Sequence, residues 1–263
     1  MNIVVCVKQV PDTEAPIRIR PDGSGIDESG LNLVMNYYDE HATEAGLRLK
    51  EQFGGSVTLI GVGPERTKEA LRTGLAMGAD EAILVSDVAL LGSDHLGTAR
   101  VLAAAIKTLP HDLIICGKLS TDDNAAIVGP ALAELLGLPQ ATAIAQLEVD
   151  TSGGTVVVHR EVEGGVEVLE VPLPALLTVE RSLNEPRYPS LPGIMKAKRK
   201  EIKTMSLADL GVEVPSVGAT AAKSALTRLV PPPKRQAGRM IEEDAEKAVA
   251  EIVAFLKNEA KVL

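Results

Sequence analysis

Asn2-Ile3-Val4-Val5-Cys6-Val7 is a nearly continuous apolar run of strand length. A strand that is apolar at every position, rather than at alternate ones, is buried on both faces, as in a parallel sheet covered by helices. Val57–Val62, Ala82–Val85 and Leu113–Cys116 repeat the pattern, and helical spacing fills the intervals between them. The first helix is expected between Asp39 and Phe53, on the spacing of Ala42, Ala45, Leu47 and Leu49. Others are expected over Glu65–Met77, over Asp94–Leu109 with Ser93 or Asp94 as its cap, and over Asn124–Leu136. Strands alternating with helices of this length make βαβ units, so the fold class is α/β with a mostly parallel sheet and helices on both faces.

The pattern changes after Pro139. Ile144–Val149, Thr155–Arg160 and Val166–Val171 are β-rich and separated by Ser-Gly-Gly and Glu-Gly-Gly, which predicts antiparallel hairpins inserted around residues 142–171. Leu176–Glu180 then reads as a buried strand returning to the main sheet. One α/β domain is thus expected over residues 1–181. Residues 182–204 hold three prolines, followed by Lys196, Lys198, Arg199, Lys200 and Lys203, and read as an extended arm. Residues 205–240 show little periodicity and are expected to wrap a surface rather than enter a core. The chain closes on a helix over about Glu242–Lys257, with an apolar stripe at Ala245, Val249, Ile252 and Leu256.

The 263 residues include 27 Lys and Arg against 36 Asp and Glu, a formal net charge of −9, which argues against bulk nucleic-acid binding. Aromatic residues make up only 2%, too few for base-stacking platforms. Cys6 and Cys116 stand far apart in sequence without CxxC spacing, and the four histidines show no ligand spacing, so a disulfide scaffold or a metal site of this chain alone is not expected. No apolar run reaches the roughly 18 residues of a membrane span. Met1–Val7 has neither the basic start nor the cleavage site of a signal peptide, so a cytoplasmic protein is expected, or one of the mitochondrial matrix if eukaryotic.

Open parallel sheets take ligands at the carboxyl ends of their strands. The first strand is followed by Lys8-Gln9-Val10-Pro11-Asp12-Thr13, which is not GxGxxG, and no P-loop pattern occurs. Gly61-Val62-Gly63-Pro64 lets a ligand approach the backbone closely. Most informative is Gly117-Lys118-Leu119-Ser120-Thr121-Asp122-Asp123-Asn124, which sets hydroxyls, carboxylates and an amide before a helix. Such a helix start favours a phosphate, and simple capping by Asp or Asn explains the same residues equally well. Asp122 and Asp123 suit Mg²⁺ only weakly. No Gly-x-Ser-x-Gly elbow or cysteine–histidine pair supports nucleophilic catalysis, Cys6 and Cys116 read as core residues, and His41 reads as solvated. The basic run Lys196–Lys203, flanked by Leu183, Tyr188, Leu191, Ile194 and Met195, is either a solvated loop or a docking arm for an acidic surface.

The segment Leu183-Asn184-Glu185-Pro186-Arg187-Tyr188-Pro189-Ser190-Leu191-Pro192-Gly193-Ile194-Met195-Lys196-Ala197-Lys198 closely resembles the signature of electron transfer flavoprotein β subunits. Val7–Thr13, Met35-Asn36-Tyr37-Tyr38-Asp39, Ala76–Asp80 and Arg160–Gly165 also resemble that family, and the likeness covers essentially the whole chain. It implies a Rossmann-like fold of the adenine-nucleotide α-hydrolase type. It further implies a heterodimer with an electron transfer flavoprotein α subunit, a shared FAD, and AMP held by the β chain itself. The resemblance carries a nucleotide site onto Cys6, Asn36, Tyr37, Tyr38, Asp39 and Val62. It adds Gly117, Lys118, Ser120, Thr121, Asp122, Asp123, Asn124, Ala125, Ala126, Ile127 and Val128, and sets Thr13 and Tyr38 near the flavin. Leu191, with Pro192, Ile194, Met195 and Lys196, matches an anchor for acyl-CoA-dehydrogenase-type donors, and Glu161 matches a residue of conformational control. A quinone oxidoreductase is the implied acceptor, and residues 205–263 are implied to pack on the α subunit.

The stretch Asp122–Pro130 departs from the Asn-Gln-Thr pattern of AMP-binding members. Its Val128-Gly129-Pro130 ending and Val7–Thr13 resemble electron-bifurcating members, which hold a second FAD in place of AMP. The loop lacks the Asp-Gly-Asp-Thr core of those proteins, and the Leu183–Lys198 arm resembles dehydrogenase-linked carriers. A universal-stress-type nucleotide-binding regulator is a distant alternative on the same fold class.

Overall fold

The structure is a computed structural model that describes residues 1–150, 153–233, 238 and 240–263. Among the described residues, nine strands form one sheet. They are β1 (Asn2–Cys6), β4 (Ser56–Val62), β5 (Glu81–Val85), β6 (Leu113–Gly117), β7 (Gln140–Asp150), β8 (Thr155–Val162), β9 (Gly165–Pro172), β10 (Ala175–Val179) and β11 (Lys203–Met205), in the spatial order β11-β5-β4-β1-β6-β10-β7-β8-β9. The first seven in that order are mutually parallel, and β7–β8–β9 is an antiparallel meander. Strand β2 (Gln9–Pro11) and strand β3 (Leu33–Met35) pair separately as an antiparallel ribbon, an element with no sequence signal beyond its turn residues.

The apolar runs divide their side chains between two layers, as strand geometry requires. Ile3 and Val5 of β1, with Leu113 and Ile115 of β6, face a layer built on α1 (Tyr37–Phe53) and α2 (Lys68–Met77). Val4, Cys6, Ile114 and Cys116 face the opposite layer, built on α3 (His95–Ile106) and α4 (Val128–Leu136). Chain direction away from β1 therefore reverses. The path through α1 leads to β4 on one side, whereas β6 on the other side is reached only after β5 and α3. The gap between β1 and β6 is the switch point where ligands of open α/β sheets lodge.

Several expectations need correction. The helix expected from Asn124 starts at Val128, because Asn124 and Ala126 take left-handed backbone (φ 53° and 54°). Residues 182–204 are not an extended arm throughout: a 3-10 turn (Arg181–Leu183) leads to α5 (Leu191–Arg199), and β11 closes the sheet edge. Ser190 caps α5, accepting the Gly193 amide at 3.1 Å, and Pro192 falls in the first turn, where a missing N–H costs nothing. The segment after 204 does enter a core, since Met205, Leu207 and Val217 are buried in the α3–α4 layer, the last just before α6 (Gly218–Ala221). His41, expected in solvent, is 3% exposed. The closing helix is α7 (Ala245–Asn258), with no buried side chain. Ser152 of the Ser-Gly-Gly turn, and 234–237 and 239 of the tail, lie outside the described residues.

Ile114 and Ile115 are fully buried on opposite faces of β6. Truncating either to Ala should cost about 2–5 kcal/mol in urea unfolding, because each removes packed volume from a different layer. A loss under about 1 kcal/mol at one site would show that its face is not tightly packed.

Candidate functional site

A cavity of about 410 Å³ opens at the switch point, within the range of about 300–1,000 Å³ usual for small-ligand sites. Its apolar part is made by Cys6, Ile60, Val62, Leu102, Cys116 and Val128, at strand ends and on the α3–α4 side. Asn36 and Asp39 form one wall, and Lys8, His95, Lys118, Ser120 and Asp123 stand in the polar part.

The wall is fixed by the first turn of α1. Asp39 is buried, and its two oxygens accept backbone N–H groups from the ends of the two central strands, Lys8 at 2.8 Å and Gly117 at 3.2 Å. Gly117 permits this approach, since a Cβ there would lie 2.4 Å from Asp39 Oδ1 and 2.7 Å from Tyr38 Cβ. Burial pushes the Asp39 carboxyl up to about 7, against the opposing pull of the Lys8, Asn36 and Gly117 hydrogen bonds. Asn36, also buried, donates from Nδ2 to the Leu119 carbonyl at 2.9 Å and accepts the Thr121 amide at 3.1 Å. That single amide side chain staples the loop 118–127 to the start of α1.

The loop itself is held by its own side chains. Ser120 Oγ donates to Asp123 Oδ1 at 2.9 Å, and the same oxygen accepts the Ala125 amide at 3.0 Å. These local bonds compete with helix formation and explain the late start of α4. Lys8 Nζ reaches Ser120 Oγ (3.1 Å) and pairs with Asp122 (2.7 Å) and Asp123 (3.2 Å). His95 Nε2 lies 3.0 Å from Asp123 Oδ2. Burial raises Asp123, but the Ala125 amide, His95, Lys8 and Ser120 outweigh it and hold the carboxyl well below the usual range. Lys118 pairs with the buried Glu180 beside the cavity.

Ser120, Asp123 and His95 are a hydrolase-like set in the wrong order. The carboxylate stands between serine and histidine, whereas a nucleophile needs the imidazole at its hydroxyl. Asp123, held so acidic, is a poor base for Ser120. The hydrogen bond that the neutral Cys116 thiol makes with Cys6 and its burial together push that thiol up, away from the thiolate that nucleophilic chemistry requires. The arrangement suits binding: an apolar slot, backbone amides at the start of α4, and a cation, Lys8, at the rim.

Of the residues singled out from the sequence, Cys6, Asn36, Asp39, Val62, Gly117, Lys118, Ser120, Asp123 and Ala125–Val128 line this one cavity. Tyr37, Tyr38, Thr121, Asp122 and Asn124 flank it without lining it, and Thr13 is exposed on the segment after β2. Leu119, inside the expected stretch from Gly117 to Val128, lines it too. Val7, Lys8, Ile60, Cys116 and Gly129, and Ser93, Asp94, His95, Thr98 and Leu102 around the start of α3, complete the lining and were not assigned to a site, Ser93 and Asp94 having been read only as helix caps. The signal for the α3 residues was present: the crossover from β5 to β6 must bring the capped end of α3 over the switch point. The Leu191–Lys196 turn lies elsewhere, on α5 against α2, with Leu191 74% exposed. Glu161, at the end of β8, accepts from Ser182 Oγ at 3.1 Å.

Residues 24–210 match the family model described as the electron transfer flavoprotein domain. The chain is 40% identical over 259 residues to the electron transfer flavoprotein subunit beta of Clostridium acetobutylicum, covering 98% of this chain and 99% of that protein. It is 39% identical over 264 residues to the same subunit of Bacillus subtilis and 41% identical over 266 residues to that of Bradyrhizobium diazoefficiens, with full coverage of both chains in each case. The chain belongs to the electron transfer flavoprotein β-subunit family. As an electron transfer flavoprotein β subunit it is an electron-carrier protein. No helix among its described residues is long and apolar enough to cross a membrane.

The Asp39 carboxyl gives a pH test. Burial favours the neutral acid, so the folded chain keeps a proton that the unfolded chain, at its ordinary value of 3.8, has lost. The stability this contributes is complete below that value, falls as pH climbs, and is gone above about 7. The Asp39 carboxyl ¹³C resonance should titrate with a midpoint close to 7, and Asp39→Asn should remove this group's share of the fall in stability. An ordinary carboxylate midpoint would contradict it.

Proposed function

We propose that the chain is one half of a heterodimer with an electron transfer flavoprotein α subunit and carries electrons from acyl-CoA-dehydrogenase-type donors to a quinone oxidoreductase. FAD, shared between the two subunits, supplies the redox chemistry when bound. The observation that carries the reading is the switch-point cavity, whose apolar slot, rim lysine and stapled loop fit an adenine nucleotide while offering no activated nucleophile. Within it, Cys6, Val62, Cys116 and Val128 take the flat base, and Asn36 holds the loop whose amides receive the phosphate, with Lys8 pairing Asp122 and Asp123 beside it. AMP is the nucleotide this reading assigns. Thr13 and Tyr38 belong to the side facing the shared flavin, and of residues 205–263 the part beyond the buried Val217 packs on the α subunit. Glu161 takes part in conformational control, from its place at the end of β8.

The exposed turn Leu191, Pro192, Ile194, Met195 and Lys196 is the docking surface for the donor. Its apolar tip stands among Lys196, Lys198 and Arg199, a combination suited to an acidic partner with an apolar pocket. The second reading, an electron-bifurcating complex with FAD in place of AMP, is favoured by Val128-Gly129-Pro130 at the start of α4.

Denaturing the purified heterodimer and counting released nucleotides decides between them. One FAD with one AMP per complex is expected, and two FAD without AMP would replace carriage by bifurcation. Leu191→Ala should slow reduction by the donor while leaving flavin content intact; an unchanged rate would remove the docking role from this turn.

A further inference from the structure

Helix α1 carries a polar stripe along one face: His41, Glu44, Arg48 and Glu51, spaced three, four and three residues apart. All four side chains are engaged by, or grip, the four-residue segment 184–187 at the root of the arm. His41 and Asn184 bond reciprocally. The Asn184 amide donates to the His41 carbonyl at 3.0 Å, and His41 Nδ1 lies 2.9 Å from the Asn184 carbonyl, which only accepts and so sets the proton on Nδ1. Arg48 donates to the Glu185 carbonyl at 3.0 Å. Arg187 then closes on both glutamates. Its Nε and Nη2 reach the two Glu44 oxygens at 2.7 and 3.2 Å, and its Nη1 and Nη2 reach the two Glu51 oxygens at 2.5 and 3.0 Å. The Arg187 backbone N–H adds a bond to Glu44 at 3.2 Å.

Glu44 is only 2% exposed and also accepts from Arg48 Nε at 2.7 Å. Burial raises its carboxyl, and the bonds from Arg187 and Arg48 outweigh this and lower it. The grip ends abruptly. Tyr188 is 96% exposed, and three residues further on Leu191 opens α5. Neither Arg187 nor the glutamates belong to the two apolar layers that hold the sheet. A rigid root thus carries an exposed tip, which is the arrangement that spares a docking segment its ordering cost when a partner arrives.

We propose that Arg187 is a positioning residue for donor docking: by clamping the arm root to Glu44 and Glu51 it holds the Leu191–Lys196 turn in the pose the donor recognises. This rests on the reading of that turn as the docking surface. Without the clamp the turn samples other poses, and the apparent affinity for the donor falls by the fraction of time spent in the competent one.

The experiment uses the flavin-loaded heterodimer and a straight-chain acyl-CoA dehydrogenase that reduces the wild-type complex. Arg187→Gln should raise the KM for the complex about tenfold, if the competent pose drops to about a tenth of the population, with kcat and flavin content unchanged. Amide exchange should rise over residues 184–199 and nowhere in the central strands. Arg187→Lys, which keeps the charge and loses the fork, should restore part of the affinity. Glu51→Gln, which leaves no buried charge stranded, should raise KM about threefold, a milder form of the same population shift. If Leu191→Ala impairs reduction while Arg187→Gln and Glu51→Gln both keep the wild-type KM, the clamp is overturned and docking stands. If Leu191→Ala is also silent, or no such dehydrogenase reduces the wild type, the docking reading falls and the clamp falls with it.

Discussion

The Asp39 carboxyl is the tie on which the rest of the site depends. It joins the first turn of α1 to the ends of β1 and β6, the strands between which the chain reverses direction. A parallel sheet leaves backbone N–H groups unpaired where its strands end, and here one buried side chain answers two of them. The cost is a carboxyl held away from water, which backbone partners on both oxygens reduce without cancelling. Gly117 belongs to the same solution, because any larger residue would push α1 off the strand ends and open the wall of the cavity.

From that tie outward, the polar side chains are arranged to shape backbone. Asn36 reaches over eighty residues along the chain to pin Leu119 and Thr121, and Asp123 spends its oxygens on Ser120, Ala125, Lys8 and His95. Left-handed Asn124 and Ala126 persist because this network surrounds them, which is the usual setting for strained backbone at a binding site. The result is a loop with little freedom beside an apolar slot, suited to holding a ligand in place.

The parallel sheet was legible because its strands are buried on both faces: Asn2–Val7 and Leu113–Cys116 carry that signature in composition alone. The meander was legible from alternating β-rich segments and glycine turns. What escaped depends on partners distant in sequence. Asn-Ala-Ala-Ile at 124–127 is locally fit for a helix, and it is unwound by Ser120 and Asp123 with Asn36 holding the loop from α1. His41 has the look of a surface residue until Asn184, 143 positions later, folds back on it. Prolines at 186, 189 and 192 suggested an extended arm, yet one in the first turn of a helix is compatible with α5. The cavity's strand-end residues followed from topology, and so, through the β5–β6 crossover, does the capped end of α3.

Helix α7 has a further consequence. Fourteen residues long, it buries no side chain, and Val249, Ile252, Val253 and Phe255 stand exposed. Isolated helices shorter than about 12–15 residues are marginal in water, so this one gains stability from whatever surface covers its apolar side. Until that apolar side is covered it stays in water, where stray association is a hazard. Timely supply of whatever covers that side then becomes a guard against aggregation as much as a matter of assembly.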